Sequence, residues 1–203
     1  MQQNVSGSIT IYWGPMYAGK TTALLQRYAD IRFSMISSAE GGEEDKLVLV
    51  KHRADEQRYS KTHVCTHTPE NLSRAADIVT SDLFSVMDIL EEKHRKNNDL
   101  HVFIDEAQFF PDLVKCCESL ANTGIHVYLS MLSGTFHRTP WKCVSDILSL
   151  ADNVIHLKAD CSVCKKFDTA AFTKKIAGSK ELLVDVGGAE KYAPMCRKCY
   201  FSE

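Results

Sequence analysis

With 203 residues, the chain is long enough for one domain with a sizeable core, or for one domain and a small appendage. Hydrophobic residues make up 44% and charged residues 25%, an ordinary soluble globular composition. The formal net charge of −2 offers no basic footprint for a nucleic-acid backbone, and no apolar run approaches the roughly 18 residues of a membrane helix, so neither polymer nor membrane is an expected partner.

In chain order, Met1 to Ser8 is polar and lacks the basic and apolar regions of an export signal. Ser8 to Trp13 is a short β-rich run that meets Gly14. Thr21 to Phe33 has helical apolar spacing through Leu24, Leu25, Tyr28 and Ile31. The small, acidic stretch from Ser37 to Asp45 reads as a loop, and Lys46 to Lys51 as a second strand. Helices are expected from Pro69 to Val79 and from Ser81 to Arg95, the latter with Leu83, Val86 and Leu90 on one side. A third strand, Val102 to Ile104, ends in Asp105. Pro111 suits the first turn of a helix whose apolar side is Leu113, Val114, Cys117 and Leu120. Ile125 to Leu132 is a strand, Trp141 to Leu150 a helix and Val154 to Leu157 a strand. Apolar strands alternating with helices predict an α/β fold, a parallel sheet with helices on both faces. Past Ala159 the texture changes to paired cysteines and glycines, which sets a boundary between 1–159 and a small metal-organised unit, 160–203.

Gly14-Pro15-Met16-Tyr17-Ala18-Gly19-Lys20-Thr21 fits G-x-x-x-x-G-K-[ST] between a predicted strand and a predicted helix. In that setting backbone N–H groups converge on phosphates at a helix N-terminus. Lys20 would reach the β- and γ-phosphates of ATP, and the Thr21 hydroxyl would ligate Mg²⁺. Asp105 and Glu106 stand at the carboxyl end of a central strand, the edge where open α/β sheets bind ligands. Because successive strand residues point to opposite faces, the two acids can do different jobs. Asp105 suits metal binding, and Glu106 suits the base that takes a proton from an attacking hydroxyl.

Four of the eight cysteines form the pairs Cys161-x-x-Cys164 and Cys196-x-x-Cys199. Four thiolates close a tetrahedral Zn²⁺ site to water, so this zinc is expected to be structural. Cys65, Cys116, Cys117 and Cys143 have no such spacing and read as buried free thiols in a reducing cytosol.

Together these strings resemble the type II thymidine kinases, the cytosolic family of animals, bacteria and large DNA viruses. The resemblance runs from about Ser8 to Phe201. It is carried by Gly14 to Thr21, by Ile104-Asp105-Glu106-Ala107-Gln108-Phe109-Phe110, by Gly134-Thr135-Phe136, and by Gly187-Gly188-Ala189-Glu190-Lys191-Tyr192 with the following Cys196-Arg197-Lys198-Cys199-Tyr200. It implies a RecA-like P-loop domain with a zinc-ribbon-like lasso, and transfer of the γ-phosphate of ATP to the 5′-hydroxyl of thymidine, with deoxyuridine as a further acceptor, in nucleotide salvage for DNA synthesis. Glu106 would be the catalytic base. The ATP side would comprise Gly14 to Thr21 with Asp55, Arg58, Asp105 and Gln108, Thr21 and Asp105 serving Mg²⁺. Phe109 and Phe136 would wall the thymine ring, beside Leu132 and Thr135. The lasso would contribute Thr173, Leu183, Val184, Asp185, Val186 and Gly187, and Tyr192 would reach the sugar. The resemblance also implies a cytoplasmic homotetramer, with a dimer as the alternative, and dTTP as a feedback ligand. Two departures stand out: Ser133 replaces an aspartate frequent before Gly-Thr-Phe, and Arg53 to Ser60 carries one extra residue, so Asp55 or Glu56 is the counterpart acid. The rival readings are a helicase-like P-loop ATPase, from Asp105-Glu106-Ala107-Gln108, and a zinc-ribbon binding module with an idle P-loop.

Overall fold

A computed structural model describes residues 7–37, 46–57, 62–66, 73–178 and 187–202. In chain order its elements begin with β1 (Ser8–Gly14), α1 (Lys20–Ser37), β2 (Leu47–His52), β3 (His63–Cys65), β4 (Ser73–Ala75) and β5 (Ile78–Thr80). There follow α2 (Met87–Asn97), β6 (His101–Asp105), α3 (Leu113–Asn122), β7 (His126–Leu132), α4 (Lys142–Leu150) and β8 (Asn153–His156). The last are β9 (Phe172–Lys175), β10 (Tyr192–Met195) and α5 (Arg197–Phe201).

Six strands form one sheet in the order β5-β2-β6-β7-β1-β8, and every neighbouring pair is parallel. Strand alternation sorts the apolar residues onto two faces. Leu47, Leu49, Phe103 and Tyr128 pack under α1 with Leu24, Leu25, Tyr28 and Ile31. Val48, Val50, Val102, Ile104, Val127 and Leu129 pack on the other side against α2, α3 and α4 through Leu90, Leu113, Leu120, Val144 and Ile147. Helices therefore cover both faces, and each fully buried aliphatic side chain contributes about 1.5–3 kcal/mol. Beyond β8 the chain builds the antiparallel pair β9–β10 and the short α5.

The expected helix from Pro69 to Val79 is replaced over its described part by β4 and β5; residues 69–72 lie outside the described residues. Ile78-Val79-Thr80 are three consecutive β-branched residues, which fit a pleated strand better than a helix, and β2 supplies their backbone partners. The helix from Ser81 is shorter than expected, a 3₁₀ turn at Phe84–Val86 followed by α2, with Leu83, Val86 and Leu90 buried. The Leu83 and Phe84 amides donate to the Asp112 carboxylate at 2.8 and 2.7 Å, which seats this entry against the start of α3. Pro111 stands two residues ahead of α3 rather than in its first turn. α1 runs on to Ser37, and residues 38–45 of the expected loop lie outside the described residues. Cys116 and Cys117 are buried as expected, whereas Cys65 and Cys143 are only half-buried. Cys65 lies on the small β3–β4 pair, outside the main sheet. Among the described residues no helix is long and apolar enough to cross a membrane.

Gly14 closes β1 against the chain that leaves β8. A Cβ added there would stand 2.3 Å from the Leu157 carbonyl oxygen, a contact that only movement of the backbone relieves. Gly14→Ala should therefore lower stability by about 2 kcal/mol or more in urea unfolding. Gly19→Ala, whose Cβ meets nothing within 4 Å but whose φ is +76°, should cost only about 1–2 kcal/mol.

Candidate functional site

Residues 15–19 connect the carboxyl end of β1 to the first turn of α1, as the phosphate-loop pattern requires. Tyr17 at φ 66° and Gly19 at φ 76° take left-handed conformations that fold this loop around the helix N-terminus. Lys20 is buried, and its Nζ donates to the Pro15 carbonyl at 2.8 Å, across the mouth of the loop.

The polar groups beneath the loop follow from strand period. On three adjacent strands the residue two places after an α1-facing apolar residue is polar: Leu49 leads to Lys51, Phe103 to Asp105 and Tyr128 to Ser130. The β2–β6 register sets Lys51 beside Asp105. All three side chains emerge at the carboxyl edge, on the α1 side, where α1 starts. There the Thr21 hydroxyl donates to Asp105 Oδ1 at 3.0 Å, and the Ser130 hydroxyl donates to the same oxygen. Lys51 is fully buried and forms an ion pair with Asp55. Burial, with Glu106 and then Asp55 close by, pushes the Asp105 carboxyl up to about 7, although the hydroxyls of Ser130 and Thr21 act in the opposite sense. The oxygens of Thr21, Ser130 and Asp105 gathered here are hard donors that fit a divalent cation such as Mg²⁺.

Glu106 does diverge from Asp105, but not through simple pleat alternation. The strand has ended, and Glu106 takes the left-handed conformation at φ 51°, ψ 42°, ahead of a 3₁₀ turn at Ala107–Phe109. The Gln108 side chain then joins two elements: its Nε2 donates to Glu106 Oε2, and its Oε1 accepts the Leu132 amide at 2.9 Å.

Leu132, at the end of β7, packs with Met16, Tyr17, Phe136 and Tyr192 in a small apolar cluster beside the loop. The Phe136 and Tyr192 rings lie 6.1 Å apart at 43°. Phe109 is placed elsewhere, 5.7 Å from both His52 and Trp141, so the described aromatic neighbours of Phe136 are His137 and Tyr192. Thr135 is buried, and its hydroxyl meets that of Thr139 at 2.7 Å within its own turn. Thr173 on β9 accepts the Met16 amide at 2.9 Å, which pins the second unit to the phosphate loop. Lys175 shares its face of β9; it is buried, and its ammonium lies 5.1 Å from the Phe136 ring centre and 6.0 Å from that of Tyr192.

The four paired cysteines come together, with all four Sγ atoms within 4.8 Å of one another. Cys164 and Cys196 are 3.9 Å apart at sulfur. A tetrahedron with Zn–S bonds of about 2.3 Å has edges near 3.8 Å, whereas a disulfide needs about 2.05 Å. Burial alone would raise the Cys161 thiol, but backbone N–H groups of Cys196, Cys164 and Val163 together hold it down at about 6. The donor set and spacing fit a structural zinc. Ala18 packs against Ala159, Cys161 and Ala170, a second contact between this knuckle and the phosphate loop.

Arg58 and the segment Leu183, Val184, Asp185 and Val186 lie outside the described residues, as does the side chain of Glu56, while Gly187 is described at the segment's end. Lys51, Ser130, Lys175 and Tyr200 were not singled out from the sequence. Lys51 and Ser130 had a signal available, each a lone polar residue closing or interrupting an apolar strand.

The thymidine kinase family model matches residues 7–200. The chain is similar to thymidine kinase 1 of Dictyostelium discoideum, at 34% identity over 98% of this chain and 80% of that protein. It is also similar to the cytosolic thymidine kinase of Homo sapiens, at 34% identity over 97% of this chain and 74% of that protein. Among solved structures, the genome packaging NTPase B204 of Sulfolobus turreted icosahedral virus 2, in complex with ATP-gammaS, matches 76% of this chain and 75% of its own, with 14% identity and a TM-score of 0.45.

Replacing Cys164 by serine should reduce bound zinc from about one per chain to near zero, measured by atomic absorption on the purified protein, with a lower melting temperature. Unchanged zinc content would remove the quartet as the site.

Proposed function

We propose, given that the chain belongs to the thymidine kinase family, that it transfers the γ-phosphate of ATP to the 5′-hydroxyl of thymidine, with deoxyuridine as a second acceptor. One observation supports this reading above the rest. Gln108 holds Glu106 with one end of its amide and Leu132 with the other, so the acid that follows Asp105 is tied to the Leu132 border of the apolar cluster of Met16, Leu132, Phe136 and Tyr192. A base at that border suits a reaction in which a hydroxyl attacks a phosphate held next door.

In this mechanism the loop amides of 14–19 and the Lys20 ammonium hold the β- and γ-phosphates. Thr21 and Asp105 would hold Mg²⁺, which when bound neutralises phosphate charge. Asp55, oriented by Lys51, and Arg58 complete the ATP side, with Gln108 bracing the base. Glu106 accepts the proton of the 5′-hydroxyl as its oxygen attacks. Phe136 and Tyr192 hold the nucleoside against Leu132 and Met16, with Thr135 shaping the turn; Phe109, packed against His52 and Trp141, has no part in that wall. Thr173 and 183–187 are assigned to the acceptor, where exclusion of water favours transfer over hydrolysis. The four-cysteine zinc is structural and organises 160–203, while 1–159 carries the phosphate chemistry. The reading extends to a cytoplasmic enzyme of nucleotide salvage, supported by the cytosolic relative, to a homotetramer in preference to a dimer, and to dTTP as an inhibitor that occupies the same site.

A phosphorylation assay across thymidine, deoxyuridine, deoxycytidine and deoxyguanosine tests the proposal. Thymidine and deoxyuridine should be converted and the purine excluded. ATP hydrolysis stimulated by nucleic acid, with no nucleoside converted, would overturn it. Glu106→Gln should retain ATP binding while kcat falls by about two orders of magnitude or more; turnover near that of the parent would rule Glu106 out as the base.

A further inference from the structure

We infer that Tyr200 is a positioning residue for the acceptor pocket: its hydroxyl fixes the backbone of Phe136 and so couples the four-cysteine knuckle to the ring that meets the nucleoside. The inference rests on the reading of Phe136 as a pocket wall.

Tyr200 Oη donates to the Phe136 carbonyl at 2.6 Å, across 64 residues of sequence. Phe136 belongs to a connection after β7 that has no regular secondary structure, and the Thr135–Thr139 turn braces only its base. The placement of its backbone therefore depends on contacts from outside the connection. Tyr200 comes from α5, a helix of five residues with none buried, far too short to hold a conformation alone. Sulfur anchors the start of α5: Cys196 caps it by accepting the Cys199 amide at Sγ, 3.5 Å away, and Cys199 directly precedes Tyr200.

The tyrosine ring is fixed from several sides. Phe172 on β9 meets it edge-on at 5.6 Å, and the Arg138 guanidinium, from the Phe136 connection itself, lies 5.1 Å from its centre. Lys174 Nζ donates to the Tyr200 carbonyl at 2.9 Å. A continuous path thus runs from the cysteine cluster through α5 and the Tyr200 hydroxyl to the main chain of Phe136. The knuckle's influence on the pocket is therefore not confined to the segment it encloses.

The test is Tyr200→Phe in the full chain, beside Phe136→Ala and the double variant, with KM and calorimetric Kd for thymidine, KM for ATP and bound zinc. Tyr200→Phe should raise the thymidine KM and Kd by roughly three- to tenfold, the size of one hydrogen bond, while the ATP KM and zinc content stay at parental values. Added to Phe136→Ala, it should weaken thymidine binding little further, because both act through one ring. If Phe136→Ala weakens thymidine binding and Tyr200→Phe does not, this inference alone is overturned. The same holds if Tyr200→Phe sheds zinc or raises the ATP KM equally. An unchanged thymidine KM in Phe136→Ala overturns the pocket reading and this inference with it.

Discussion

A carboxyl group buried at the open edge of a parallel sheet is costly unless donors reach it, and Asp105 is in that position. Its oxygen takes hydroxyls from Thr21 and Ser130, which arrive from α1 and β7. That requirement fixes much of the local architecture. β7 must lie between the acid's strand β6 and the loop's strand β1, so that Ser130 can reach sideways while Thr21 reaches down from the helix. The alternation that sends Phe103 under α1 sends Asp105 to the same face two residues later. Core packing and site placement are here one constraint, and a one-residue slip in β6 that brought Ile104 to this position would put an apolar residue at the mouth.

The region past residue 159 is attached at the phosphate loop and beside it. Thr173 meets the Met16 amide, Ala159, Cys161 and Ala170 cover Ala18, and Tyr192 lies against Phe136. All of these contacts fall on the phosphate loop or its immediate surroundings. A loop with a non-glycine residue at positive φ is strained by itself, and packing of this kind holds it in one conformation. The region around the four cysteines thus braces the phosphate loop as well as lying against Phe136.

Features encoded within a few consecutive residues were legible in the sequence, and features created by register were not. The loop from Gly14 to Thr21 is contiguous, and the cysteine pairs announce themselves by spacing, so both could be read directly. The sheet was legible because β1, β2, β6 and β7 are apolar runs of strand length. The turn at Glu106 was not, because a left-handed residue after a strand leaves no periodic trace. Lys51 and Ser130 gain meaning only once β2, β6 and β7 are aligned. Tyr200 and Phe136 are joined across 64 positions, a distance at which no local pattern operates. The helix expected from Pro69 failed for a different reason: Ile78 to Thr80 satisfies its backbone with a strand far away in sequence, and tertiary pairing overrides weak local preference.

The two halves of the site divide the electrostatic work. On the phosphate side, ionised and strongly polar groups are sequestered together, Lys20, Lys51, Asp55 and Asp105, where low dielectric strengthens each interaction with a polyanion. On the acceptor side the described lining is apolar and aromatic, apart from Lys175 above the rings. In the proposed reading an uncharged base stacks on these rings without the cost of burying a charge, and its polar edge needs hydrogen-bond partners there. Glu106, next in the chain to Asp105, is tied by Gln108 to Leu132; under the proposed reading, a proton taken there from the incoming hydroxyl would neutralise one carboxylate beside the phosphates. In the proposed reading the polarity of the two walls separates the two substrates, and the carboxylate tied to Leu132 receives the acceptor's proton.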